Sequence, residues 1–256
     1  MSDNYRSVPL RFDCPSGDDE PILLTQGIPF ADGELPVGAS VRLVDGGGRV
    51  FPTQATALAT WAADGEWVKW LLVDGQMEGR PEELRLEHGG DVEPVDPEEA
   101  VRVEESGGRI VLDTGRLRLG LRRGDADFLT AVEMRTEEGW RDLLRDRAFL
   151  YMADGNGVFY DSCSAAPPPT IAVEERGPVR ASVCIKGYVA SEDGRRFCPY
   201  VVRLHMHAGS SRVRLFHTFV FDQDPERVEL SGIGFFLPLK LGDGPEVAFG
   251  GEEEVH

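Results

Sequence analysis

Hydrophobic alternation is what most constrains this chain. Short runs in which polar and apolar residues take turns, bounded by Gly, Pro or Asp, recur from the first ten residues to Leu239. Successive side chains of a strand point to opposite faces, so a period of two marks strands with one face buried. Helical spacing is nearly absent. Arg141–Met152 (RDLLRDRAFLYM) is one of the few stretches that accommodates a short helix, and a strand with an approach loop also fits it. The expectation is an all-β protein. The 256 residues suffice for two domains at the usual ~100–150 residues each. With 41% hydrophobic and 9% aromatic residues, packed cores rather than disorder are the default.

The first domain is expected over residues 1–98. SVPLRF reads as a strand, GIPF as an extended segment entering the turn ADGEL, and Ala39–Val44 and Val50–Gln54 as strands flanking Asp45-Gly46-Gly47-Gly48. Glycine tolerates positive φ, so that loop predicts a hairpin. Trp67–Val73 (WVKWLLV) is a near-continuous apolar run suited to a core strand, and Arg80–Glu87 supplies the last strand. Gly89–Ala100, with two prolines and a concentration of acids, is the best linker in the chain. The second domain, 99–256, reads as strand after strand, with a hairpin around Glu137-Glu138-Gly139. Its final strand, Ile233–Leu239, is expected on an edge because Pro238 has no N–H for a ladder. About ten strands, antiparallel in appearance, favour a large antiparallel sandwich over a small barrel.

Charge narrows the function classes. The 45 acidic against 27 basic residues give a formal charge of −18. That field repels phosphate backbones and anionic lipid, so neither nucleic acid nor a membrane surface is an expected partner. An anionic sugar stays compatible, because a local cluster of arginines outweighs the global sign. The N-terminus lacks a basic segment followed by an apolar run, and no stretch approaches the ~18–20 apolar residues of a membrane helix. Cys14, Cys163, Cys184 and Cys198 show no CxxC spacing, so reduced thiols in a cytoplasmic protein are expected. There is no GxSxG, phosphate loop, HExxH or dinucleotide fingerprint, and no cofactor or metal is expected. Asp154-Gly155-Asn156-Gly157 lacks the alternating oxygen ligands of a calcium loop and reads as an ordinary turn.

Arg203, His205, His207 and His217 form the candidate cluster for chemistry. Positions 203, 205 and 207 share one strand face, and the turn at Ala208–Ser211 returns the chain so that, register permitting, His217 joins them. Imidazoles on neighbouring strands suit a metal, sugar hydroxyls or a general base near neutral pH. The plain alternative is a solvated or domain-facing surface, with Tyr200, Val202, Leu204 and Met206 turned to the core. Tyr160, after the Asp154 turn, is a further candidate to face a ligand. A flat indole suits a pyranose face. Trp67 and Trp70 should point to opposite sides, with Trp70 in the core and Trp67 the candidate for sugar.

Several stretches together resemble one family. VPLRF, GIPFADGEL, VRLVDGGGRVFPTQ and WVKWLLVD resemble the N-terminal, RIFT-type six-stranded barrel of the rhamnogalacturonan exo-lyase-like proteins, the family that includes the YetA-type proteins. VEERGPVRASVCIKG and RLHMHAGSSRVRLFHTFVFDQDPERVELSGIGFFLPL resemble the supersandwich-like β-sandwich that follows there. The resemblance covers most of the chain in the right order. It implies β-elimination at a uronic acid next to rhamnose: a base takes the C5 proton, an arginine, lysine or cation neutralises the carboxylate, and an acid assists the leaving oxygen. It also implies a helical α/α toroid after the sandwich, and the sequence stops at His256, where one would begin. Two readings stay open. One is a carbohydrate-active lyase-like protein present as its two β domains, with His205, His207 and His217 reaching the cleft and Arg203, Tyr160 and Trp67 on the sugar. The other is a non-catalytic module that binds oligosaccharide or self-assembles, as a homo-oligomer or with a C-terminal domain or subunit completing it.

Overall fold

The computed structural model describes residues 5–11, 21–63, 65–90, 92–242 and 244. Cys14 and the Gly250–Glu254 stretch lie outside the described residues. The protein is all-β, with no helix among the described residues.

Seven strands come first: β1 (Arg6–Leu10), β2 (Ile22–Pro29), β3 (Val41–Val44), β4 (Val50–Phe51), β5 (Thr53–Thr60), β6 (Val68–Met77) and β7 (Leu84–His88). They form two antiparallel sheets, β1-β7-β3-β4 and β2-β6-β5. The chain passes from one to the other at Pro52, which has no N–H to give to either ladder. The sheets curl around a core that includes Leu43, Val73, Met77 and Leu86, all buried. Gly75 of β6 permits that closure, because a Cβ there would collide with Leu43 Cδ1. The Asp45–Gly48 loop is the expected hairpin: Val44 pairs with Val50, the Asp45 N–H donates to the Arg49 carbonyl (3.1 Å), and Gly48 has φ of 84°.

The run Trp67–Val73 departs from its reading as a continuous core strand. The β5–β6 ladder shifts register between Ala57 and Ala59 and again between Ala59 and Thr60. Such bulges interrupt alternation. Lys69 and Trp70 both turn to solvent, and Trp70, expected in the core, is 44% exposed beside Gly27. Trp67 is half-buried.

The rest of the chain is a sandwich. β8 (Arg102–Ser106), β9 (Arg109–Asp113), β10 (Leu117–Arg122), β11 (Ala131–Thr136) and β12 (Gly139–Asp142) make a five-stranded meander. β13 (Phe149–Asp154), β14 (Phe159–Asp161), β15 (Thr170–Arg176), β16 (Arg180–Ala190), β17 (Arg196–His207), β18 (Val213–Phe219) and β19 (Leu230–Phe236) make a seven-stranded sheet. Its order is β18-β17-β16-β14-β13-β19, with β15 also pairing β16. Ile110, Leu112 and Leu119 from one sheet meet Leu150, Met152, Val183 and Leu204 from the other. Burying each contributes roughly 1.5–3 kcal/mol relative to leaving it in water. Arg141–Met152 holds no helix. Leu150 and Met152 point inward while Phe149 and Tyr151 point outward, so a period of two governs it. β19 is the edge strand expected, pairing only with β13 among the described residues.

Gly89–Ala100, read as a linker, is docked along the first sheets. Val95 pairs in parallel with Pro52, its carbonyl accepts the Thr53 N–H (3.2 Å), and Val92 is buried. The hydrophobic clusters on either side are separate, one drawn from Leu10–Leu86 and the other from Val101–Met206.

Candidate functional site

The outer face of the seven-stranded sheet follows from register. Arg180, Ser182 and Cys184 of β16 stand opposite His207, His205 and Arg203 of β17, and β18 sets Arg214 opposite His205 and Phe216 opposite Arg203. Directly opposed residues project to the same side. Val202, Leu204 and Met206 take the core, so this row is the outer surface. One end is covered by the N-terminal sheets, and the rest is open.

The covered end is a polar seam. Arg180 and Asp74 are 3% and 1% exposed, and the Arg180 Nε–H donates to Asp74 Oδ1 at 2.7 Å. Thr25 Oγ1 donates to the same oxygen (2.6 Å). Gln54 Oε1 accepts two successive backbone N–H groups, from Val179 (3.0 Å) and Arg180 (2.9 Å). Thr56 and Gln54 donate to Glu175, and Gln76 to the Ala208 carbonyl. Arg180 Nη1 also donates to His205 Nδ1 (2.9 Å). A guanidinium has no acceptor, so Nδ1 holds the lone pair and the neutral ring carries its proton on Nε2. Burial, then the Arg180 charge, pushes the His205 pKa down to about 4, and burial does the same to His207. Both are neutral at pH 7. His205 Nε2 is buried without a hydrogen-bond partner.

The open part is cationic and aromatic. Arg203 makes a forked pair with Glu174, Nε to Oε2 at 2.8 Å and Nη2 to Oε1 at 3.0 Å. That pairing holds the Glu174 carboxyl below its usual range. Around it Lys186, Arg214 and Phe216 are exposed; at the far end of the β16–β17 ladder the Arg196 guanidinium lies 5.3 Å from the centre of the exposed Tyr188 ring. An exposed forked pair exchanges partners at small cost, because solvent-exposed ion pairs are worth ~0–1 kcal/mol. The arrangement suits a planar carboxylate beside an apolar ring face.

Arg203, His205 and His207 therefore share a face, as expected, and His217 does not join them. It stands opposite Val202 and so points to the core side, with the Tyr200 and Phe219 rings 6.4 and 6.0 Å from its own. Burial lowers its pKa. Among the described residues no group of three or more His, Cys, Asp or Glu side chains is placed to hold a metal ion. Tyr160, expected to face a ligand, is 1% exposed. It stacks on Phe197 (4.2 Å), donates to Asp154 Oδ2 (3.1 Å) and accepts from Arg195. Alternation along β14 turns Phe159 outward and Tyr160 inward. Asp154 Oδ1 accepts the Asn156 and Val158 N–H groups, so the segment is the ordinary turn expected. Trp67 sits half-buried against Pro36. Cys163, Cys184 and Cys198 are free thiols whose pKa values burial raises. The sequence reading missed the Asp74–Arg180 pair and the cations flanking Arg203; extending the alternation to Lys186, Arg214 and Phe216 would have found the latter.

A family model described as the PcRGLX-like protein central beta sandwich domain matches residues 101–246, which hold both sheets of the sandwich. Uncharacterized protein YetA of Bacillus subtilis (strain 168) is 26% identical over 240 residues, 91% of this chain and 27% of that protein. The chain thus spans about a quarter of the length of this curated relative. By the extent of the matched sandwich, the chain belongs to the PcRGLX-like family.

Proposed function

We propose that this chain recognises uronate-containing oligosaccharides of the rhamnogalacturonan type, as the two-β-domain part of a polysaccharide lyase-like protein. One observation carries the reading. Lys186, Arg203 and Arg214 gather with Phe216 on one sheet face of a chain whose formal charge is −18. Family membership supports the sugar class. A uronate takes the place of Glu174 on the Arg203 fork, and the exposed Phe216 ring opposite it takes the apolar side of the pyranose. His205 supplies no base for β-elimination, because its Nδ1 lone pair is engaged by Arg180 and its Nε2 carries the proton. What the face contributes is neutralisation of the carboxylate.

Calorimetry with oligogalacturonates and rhamnogalacturonan oligosaccharides tests this, together with absorbance from the unsaturated uronate product. Binding that weakens with added salt and falls about tenfold in Arg203→Ala is expected. Absence of binding to either sugar sinks the reading, and turnover by this chain overturns its restriction to recognition. A second reading, self-assembly, is favoured by the open edge of β18, where Val213 and Phe216 are exposed. Light scattering that shows a dimer, lost in Val213→Lys, would support it.

A further inference from the structure

Towards its other edge the same sheet surface changes character. On β13, β14 and β19 the outward positions are Phe149, Tyr151, Phe159 and Phe236. The rings form one connected cluster. Phe236 stacks on Phe149 (4.9 Å), Phe149 meets Phe159 edge-on (6.3 Å), and Phe159 stacks on Tyr151 (5.3 Å). Gly234 pairs with Tyr151, and a Cβ there would lie 2.6 Å from the Tyr151 ring, so the ring lies close over the strand. The outermost rings, Phe159 and Phe236, are 48% and 47% exposed. Clustered exposed rings of this kind mark a binding surface more often than scattered ones do.

A hollow of about 260 Å³ opens beside Phe149 and Phe236, rimmed by Asp146, Arg147, Asp161 and Ser164. Its rim is held in place. Asp161 Oδ1 accepts the backbone N–H groups of Cys163 (2.8 Å) and Ser164 (2.7 Å), and Oδ2 accepts Ser164 Oγ (2.8 Å). Arg147 is anchored by its ion pair with Asp127. A fixed carboxylate and guanidinium above an aromatic floor is the chemistry that holds a sugar ring: hydroxyls meet the charged groups and the C–H face meets the ring. Two carboxylates against one guanidinium disfavour a uronate and favour hydroxyls.

We propose that this hollow is a second carbohydrate subsite, taking one neutral pyranose residue against Phe149 and Phe236. It goes beyond the uronate reading, since it lies at the opposite edge of the sheet and prefers an uncharged sugar to a uronate.

NMR titration of the intact chain with neutral methyl pyranosides (rhamno- and gluco-configured), and with galacturonate as the charged control, tests it. Saturable shifts of the Phe149, Phe236 and Tyr151 resonances with a neutral glycoside are expected. Affinity should fall about tenfold in Phe236→Ala, stay unchanged in Arg203→Ala, and be weaker for galacturonate at this site. Should Phe236→Ala unfold, Arg147→Ala leaves the ring stack intact and must show the same loss. Absence of saturable shifts with every neutral glycoside overturns the proposal. So do shifts that survive both variants, or concentration-dependent shifts of these rings without sugar, which would mark a self-association face. Loss of oligogalacturonate binding alone, with neutral binding intact, strikes only the uronate reading.

Discussion

Arg180 and Arg203 stand on neighbouring strands of one sheet face, each paired to a carboxylate through good geometry. Arg180 is buried with Asp74, shares that carboxylate with Thr25, and donates onward to His205. Arg203 faces solvent, holding Glu174 alone in a fork. The chemistry of the pairs is nearly the same, and water separates their roles. A desolvated pair cannot lose a partner without leaving a bare charge, so it fixes structure. A hydrated pair gives up its partner cheaply, so it can be exchanged for a ligand.

The largest effect should come from breaking the buried pair. Asp74→Ala strips Arg180 of its hydrogen-bonded carboxylate, leaving only Glu175 at 3.9 Å, and is expected to cost about 3 kcal/mol in urea unfolding, whereas Asp74→Leu with Arg180→Met should recover most of it. An unchanged midpoint in Asp74→Ala would show that the seam does not bear on stability. Acid should come next. The folded pKa values of His205 and His207, about 4, lie below the usual 6.5. The unfolded chain therefore binds protons that the folded chain refuses, and stability present above pH 6.5 is lost as pH falls towards 4. Thermal melts across that window should show a falling midpoint, with a shallower slope in His207→Gln. Arg203→Ala should shift stability by less than about 1 kcal/mol while weakening salt-sensitive uronate binding about tenfold. Smallest of all is Arg203→Lys, expected to leave the melt untouched and weaken binding only in part, since it keeps the charge and loses the fork.

Much of this was legible because alternation is local. The Asp45–Gly48 hairpin, the edge position of β19 and the shared face of Arg203, His205 and His207 all follow from neighbours in sequence. Trp70 was misplaced because the two β5–β6 bulges reverse sidedness, and no local signal announces a bulge. Tyr160 and His217 turned inward on the phase of a strand and the register of a ladder, each decided by a single residue step. The seam was out of reach, since Asp74 and Arg180 are 106 residues apart and nothing in either segment names the other.

Gln54 has a consequence for cooperativity. Its carboxamide oxygen is the acceptor for the amides of Val179 and Arg180, where β16 begins. Cut at residue 101, where the family model starts, the sandwich would enter water with those two amides unclaimed and the Arg180 guanidinium without its Asp74 partner. The sequence module and the folding unit therefore end in different places, and heating should unfold both sets of sheets in one transition.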